Sequence, residues 1–454
     1  MQTRKVRLAA LSAAALMVTA ALAGCGGASA SDGVTLRYSM WDSSQMPGYR
    51  ACAAKFTEQN PDITIQLEQF GWDDYWMQMT AGMVAEHAPD VFVNHTARFG
   101  QYSALGQLLD LEPYVEESDF DLDVFAPGLA DQWKSASGDA RYGIPKDWDT
   151  VAAFYNTEML EESGYTPEDL WELEWNPEDG GTYEQFIAHM TIDRNGVRGD
   201  EEGFDKSRVA VYGLGYNDAG TGYGQVQWSM YALSNGEWRW TNENPWGTKF
   251  NYDSEDFQAS IGWWRSLIEK GYMPTLEAAS SGIGSLSSLQ SGAYAVLMEG
   301  SWNIASVAAT TETGAFNVFP TPIGPDGTRA SVQNGIADSV WVGTKHPEEA
   351  WKWVSFMGTA ECQDIIAEQG VVFPAVMTSS EIAAKTFDEM GYDSAAFTIQ
   401  VEEGTGVMSP VVDRWAQVES IMGPAMSAVV SFNSPPSSLT SANNQVNQMM
   451  ASKR

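Results

Sequence analysis

Lys146, Asp147, Trp148 and Asp149 set an ammonium, an indole and two carboxylates in a row, directly before the run Thr150-Val-Ala-Ala-Phe-Tyr-Asn156. Carboxylates accept hydrogen bonds from hydroxyls, an ammonium donates to them, and a flat indole covers the apolar face of a ring, so the set suits a polyhydroxylated ligand. A second chemistry fits the same spacing: in an extended segment Asp147 and Asp149 share a face, as a glycosidase's acid and nucleophile would. The plainer alternative is a surface turn around a half-buried indole. Pro145 cannot donate to a sheet ladder and is expected to end the preceding apolar run. The four residues then sit at a strand end, where open α/β sheets hold ligands.

Other candidates also follow strand-like runs. Asn94, His95 and Arg98 come after the buried-looking segment 90–93, and Trp41 with Asp42 follow the alternating Val34, Leu36, Tyr38 and Met40. Glu299 and Trp302 follow the apolar run 293–298, at an expected helix start. The glycine-rich stretch 213–224 has neither the lysine of a phosphate loop nor dinucleotide spacing, and reads as a loop presenting Tyr216 and Asn217. Asp193, Asn195, Glu201 and Glu202 place side-chain oxygens along one loop, which suits either a calcium ion or a solvated acidic turn; Gly196 comes too early for an EF-hand. No Ser/His/Asp nucleophile set and no zinc-spaced Cys/His cluster stands out.

These residues need elements to position them. Strands over 34–40, 63–67 and 90–93, separated by helices from Pro47 and over 72–85, give βαβα order and so a parallel or mixed sheet. Farther along, Thr182-Tyr-Glu-Gln185 has the form of a capping box. Strands are expected over 209–214, 317–320 and 339–342, and helices from Pro347 and over 360–369 with Gly370 as the cap. Phe257, Ile261, Trp264 and Ile268 share a helical face and read as core; Trp415 falls on a helix in the tail. No internal repeat is apparent.

The chain has 454 residues, enough for roughly two or three domains, and its charge is −35 from 25 Lys+Arg against 60 Asp+Glu. That balance argues against nucleic acid or anionic lipid as the main partner. Arg4, Lys5 and Arg7 precede an apolar run over 8–22 that ends in Leu22-Ala-Gly-Cys25. This reads as a signal peptide over 1–24 with a lipobox, cleaved before a lipidated Cys25, and with a small-residue tether over 25–33. The run is short for a membrane span of about 20 residues, so a retained transmembrane helix is the weaker alternative.

Several segments together resemble one family. They are Lys55-Phe-Thr-Glu-Gln-Asn-Pro-Asp-Ile63, Ala88-Pro-Asp-Val-Phe92, Leu105-Gly-Gln-Leu-Leu-Asp-Leu111, Tyr142-Gly-Ile-Pro145, Phe154-Tyr-Asn156, Gly292-Ala-Tyr-Ala-Val296, Gly300-Ser-Trp302 and Ala350-Trp-Lys-Trp-Val-Ser-Phe356. In this order, behind a lipobox, they resemble the extracellular solute-binding proteins of ABC importers, of the maltodextrin-binding, family 1 type. Pro145-Lys-Asp-Trp-Asp-Thr150 and Trp175-Asn-Pro-Glu-Asp-Gly-Gly181 further resemble a carbohydrate-binding subgroup common in actinobacteria.

The resemblance implies a class II, two-lobe periplasmic-binding-protein-like α/β fold with discontinuous lobes, 34–147 plus 335–375 and 148–334 plus 376–454. Hinge crossovers would join the lobes and a ligand cleft would lie between them. It implies a non-catalytic, cofactor-free monomer that delivers a mono- or oligosaccharide to a permease by closing. Position by position, Arg98 matches a charged sugar contact and Asp149 an acid facing the cleft. Trp228, Trp302 and Trp415 match an aromatic platform, Trp41 and Asp42 a strand-end loop, and Asn334 and Asp338 a crossover. Asn94 stands where maltodextrin binders place an aromatic, which speaks against a maltodextrin ligand. The family fold would bring the helices of Cys52 and Cys362 into one lobe, as a disulfide or as two buried thiols. The alternatives are a receptor for a polyol phosphate or a polyamine, and a secreted glycoside hydrolase.

Overall fold

The computed structural model describes residues 33–217 and 223–452; the expected signal peptide and Cys25 lie outside them. Twelve strands are described: β1 (Val34–Met40), β2 (Ile63–Gln69), β3 (Val91–His95), β4 (Ile144–Asp149), β5 (Val151–Asn156), β6 (Ile192–Asp193), β7 (Val209–Leu214), β8 (Tyr294–Gly300), β9 (Phe316–Phe319), β10 (Ser331–Val340), β11 (Phe373–Pro374) and β12 (Gly406–Met408). They form two sheets. One runs β11-β4-β10-β3-β1-β2, with β12 paired to β10, and the other runs β6-β7-β8-β5-β9.

In β1 the apolar alternation buries Leu36, Tyr38 and Met40 on one face. The helices α1 (Met46–Gln59) and α2 (Trp72–Val84) carry the chain from β1 to β2 and from β2 to β3, so β1 pairs parallel with both. This is the expected βαβα start. Proline near the first turn of α1 costs no hydrogen bond there.

The sheets meet at two crossovers. β4 and β5 are separated by Thr150 alone yet belong to different sheets, and β10 returns antiparallel alongside, pairing Asn334 with Asp149. β10 is buried over all ten residues although its sequence is largely polar, which is why apolar patterning picks out only its end, at 339–342.

Pro145 does not end a strand. It lies inside β4, opposite Ala337, while Asp147 pairs with Ile336, so Lys146 is an extra residue facing no partner. Such a bulge tolerates a residue without an N–H and turns the neighbouring side chain out of the regular alternation.

The capping-box expectation is also corrected. The helix Gly181–Met190 starts from Gly180 at φ +80° with no side-chain cap, because Thr182 Oγ1 accepts from the Glu174 N–H instead, at 2.9 Å. Cys52 on α1 and Cys362 on the helix Ala360–Ala367 form a disulfide with a Cα separation of 5.3 Å. One large core covers β1, β3, β4 and β10 and continues onto one face of β5, β8 and β9, while a second covers the other face of β5 and β8 together with β7.

Candidate ligand-binding cleft

A cavity of about 700 Å³ opens beside the carboxyl ends of β1, β2 and β3 and along β4. The turn after β1 contributes Trp41, Asp42 and Gln45, the end of β2 contributes Gln69, α2 begins with Trp72 and Asp73, and β3 ends in His95. Across the cavity stand Gln225 and, just after β8, Trp302, Asn303 and Ser306. Gly300 makes room for Trp302, because a Cβ on Gly300 would lie 1.9 Å from the indole. Any side chain there would push the ring away.

The bulge in β4 brings Lys146 and Asp147 to the same wall. The Lys146 ammonium pairs with the Asp147 carboxylate, donates to Gln45 Oε1, and stands 4.8 Å from the centre of the Tyr49 ring. Burial raises the Asp147 pKa, and the adjacent ammonium opposes that shift. Asp149 Oδ1 accepts from Gln225 Nε2 at 2.8 Å. Burial, reinforced by the charge on Asp147, holds the Asp149 pKa well above the usual carboxylate range.

Asn334 is the hub of the floor. Its Oδ1 accepts from Thr96 Oγ1 at 3.0 Å and from Ser409 Oγ at 2.9 Å, and its amide meets His95 Nε2 at 2.8 Å. His95 Nδ1 accepts the Ala97 N–H at 3.1 Å and so caps the helix α3 (Thr96–Ala104). Burial, with the charge on Arg98, lowers the His95 pKa to about 3, so the imidazole is neutral at physiological pH. Trp41 packs edge-on against Trp72, with ring centres 5.0 Å apart, and Trp72 packs edge-on against His95 at 5.4 Å. Carboxylates, amides and rings thus converge on one cavity. They can accept from and donate to hydroxyls while covering an apolar ring face.

Of the residues singled out in the sequence, Trp41, Asp42, His95, Lys146, Asp147, Trp148, Asp149, Trp302 and Asn334 line the cavity. Trp148 does so only at its edge. Its ring stacks on Phe373 at 4.7 Å and its Nε1 donates to Ser380 Oγ, so most of the indole is committed to the core.

The remaining candidates lie a layer away from the lining. Asn94 donates to Ser339 Oγ at 3.0 Å, and Arg98 pairs with Glu419 at 3.8 Å. Asp338 accepts from the Tyr38 hydroxyl at 2.7 Å, and burial raises its pKa to about 7. Asn217 donates to Glu299 Oε2 at 2.9 Å, and Glu299 Oε1 accepts the Gly300 N–H at 2.8 Å. Tyr216 packs against Trp264, Trp228 against Phe257 and Trp415 against Tyr223, all buried. None of these residues is among those lining the cavity.

The calcium expectation is set aside as well. Asp193 accepts the N–H groups of Asn195, Val197 and Asp205 at 2.7, 3.0 and 3.0 Å, and Glu201 accepts that of Arg198, while Glu202 is exposed. The loop is organised by its own backbone. Among the described residues no group of three or more His, Cys, Asp or Glu could hold a metal ion.

Gln45, Gln69, Trp72, Asp73, Gln225, Asn303 and Ser306 were missed by the sequence reading. The strand-end rule could have found Gln69, Trp72 and Asp73. Gln225 follows the glycine-rich stretch and carries no local signal.

Two α/β lobes facing a polar and aromatic cleft define a two-lobe ligand-binding protein. Residues 51–390 match the family model of the bacterial extracellular solute-binding proteins, and the chain belongs to that family. It is similar to the lactose-binding protein of Rhizobium radiobacter, at 26% identity over 181 residues, which are 37% of this chain and 37% of that relative's length. In fold it is similar to UspC of M. tuberculosis, with TM-score 0.71 and 23% identity over 91% of this chain and 100% of the other. It is also similar to an ABC substrate-binding protein of Listeria monocytogenes in complex with cycloalternan, with TM-score 0.77 and 19% identity over 93% and 100%. These likenesses give the class II, two-lobe periplasmic binding-protein fold with its interlobe cleft. Among the described residues no helix is long and apolar enough to cross a membrane.

Proposed function

We propose that this protein is the sugar receptor of an ABC importer, held at the outer face of the cell membrane by lipid on Cys25. It captures a mono- or oligosaccharide between its lobes, closes about the crossovers at Thr150 and β10, and presents the closed form to the permease. The lobes of this reading are 34–147 plus 335–375 and 148–334 plus 376–454, acting as a monomer without a cofactor. The observation that carries it is the meeting of Trp41 and Trp302 with Asp42, Asp149, Gln225 and Asn334 on one cavity. Stacking holds the ring faces and the polar groups take the hydroxyls.

Calorimetric titration of the chain from residue 31 onward, against a panel of saccharides, polyols, polyol phosphates and polyamines, tests this reading. Saturable binding of one sugar class without turnover is the expected result. Release of a hydrolysis product would replace the receptor with an enzyme using Asp147 and Asp149. Binding of a polyamine or polyol phosphate alone would replace the sugar.

A further inference from the structure

The charges that line the cleft do not balance. Asp42, Asp73, Asp147 and Asp149 stand against a single ammonium, that of Lys146, and the imidazole of His95 is neutral. Lys146 is already engaged: its Nζ donates to Asp147 Oδ2 and to Gln45 Oε1 and rests 4.8 Å from the centre of the Tyr49 ring. That ion pair cancels. Arg98 lies outside the lining and is paired with Glu419. Asp149 is met by the Gln225 amide, and burial favours its neutral form. Asp42 and Asp73 are what remains. Asp42 accepts from the Ser44 N–H at 2.8 Å and from Gln45 Nε2 at 3.0 Å, both neutral donors, and Asp73 is exposed in the first turn of α2. Neither is in an ion pair among the described residues. Each follows a tryptophan, and the two indoles, Trp41 and Trp72, pack edge-on with centres 5.0 Å apart and stay half-buried. The end of the cleft at β1 and β2 therefore carries two adjoining Trp-Asp dipeptides, with carboxylates and ring faces of the same negative sign.

We infer that this end of the cleft sorts saccharides by charge, binding a ring that bears an ammonium group more tightly than its neutral counterpart and turning away the acidic one. The inference rests on the sugar-receptor reading. A carboxylate or phosphate brought there meets Asp42 and Asp73, and gains a cation only by drawing Lys146 away from the buried Asp147. A hydroxyl finds acceptors. An ammonium finds the same acceptors with the opposite charge, beside ring faces that attract it. The chain as a whole is acidic too, at −35, but that wider field is screened beyond about 8 Å at physiological salt, so an acid far from the cleft serves as the control.

The test titrates the parent, Asp73→Asn, Asp42→Asn/Asp73→Asn and Glu202→Gln by calorimetry. The probes are glucose, galactose, mannose and cellobiose, each carrying a hydroxyl, an amine or a carboxylate at C6 of its non-reducing ring. Affinity ratios within one set are read, so a general loss of binding in a variant cancels. In the parent each step from carboxylate to hydroxyl to ammonium should tighten binding about fivefold, and raising the salt from about 0.05 to 0.5 M should shrink the steps. Asp73→Asn should reduce the steps and the double variant, with an unchanged circular dichroism spectrum, should level them. Glu202 is exposed and does not line the cavity, so Glu202→Gln should keep them. Sugars bound without this order, or an order that survives in the double variant, would overturn the charge sorting while leaving the sugar reading intact. No binding of any probe by the parent would defeat the sugar reading and the charge sorting with it.

Discussion

Two tryptophan-rich regions of the molecule do different work. Trp41, Trp72 and Trp302 border the cleft and stay half exposed, whereas Trp175, Trp263, Trp264 and Trp415 are buried in the second core. Residue type is the same, so position makes the difference. Trp41, Trp72 and Trp302 each follow the carboxyl end of a strand within three residues, where the ring stays partly exposed beside the cavity. Trp263, Trp264 and Trp415 lie on helices whose apolar faces are covered by neighbouring elements. An aromatic excess is therefore weak evidence for a ligand surface until the strand ends are known.

Mutagenesis can break this comparison. Trp415→Ala should cost about 3–5 kcal/mol of stability, read as a large fall in thermal midpoint, because it empties a fully buried site. An unchanged midpoint would mean that Trp415 is not core. Opening the Cys52–Cys362 bridge with a double serine variant should cost about 2–5 kcal/mol, measured by denaturant unfolding. Ligand affinity below the transition should be unaltered, since the bridge joins α1 to the helix Ala360–Ala367 and neither cysteine lines the cleft.

Trp302→Ala should show the reverse pattern. Its midpoint stays near the parent's, while calorimetry registers about 2 kcal/mol of lost binding, roughly thirtyfold in Kd. A stability loss as large as that of Trp415→Ala would erase the distinction between the two regions. Asp149→Asn should weaken ligand binding by about 1 kcal/mol, the ordinary worth of one hydrogen bond, with the fold retained.

The pH dependence of stability sharpens the comparison in a different way. Burial raises the Asp338 pKa from 3.8 to about 7, so the folded state holds a proton there that the unfolded state releases, and stability from this group falls as pH rises through that window. His95 works in the opposite direction. With its pKa lowered from 6.5 to about 3, it adds stability as pH rises from about 3 to 6.5. The two slopes oppose one another over the shared range. Asp338→Asn keeps an acceptor for Tyr38 and removes only the falling slope, so the variant should gain stability relative to the parent as pH rises from about 4 to 7. Parallel pH profiles for the two proteins would show that Asp338 is ionised throughout.

Local pattern was enough for the βαβα start, because period-two burial in β1 and helical periodicity in α1 and α2 are properties of short segments. It was also enough for the Trp41 turn, since a strand end announces itself by where its apolar run stops, whereas the stretch 146–149 stood out by residue type although it lies inside β4. The ordered motifs pointed to the family before any contact was known. β10 was largely illegible because a strand buried on both sides by its neighbours can carry Asn334 and Asp338 once partners satisfy them, and those partners come from distant segments. The bulge at Lys146 depends on the register of β4 against β10, and the burial of Trp228 and Trp415 on which helices close over them. A sequence specifies its short-range periodicities directly, whereas which polar groups are left to face a cavity is settled only after every long-range partner has been taken.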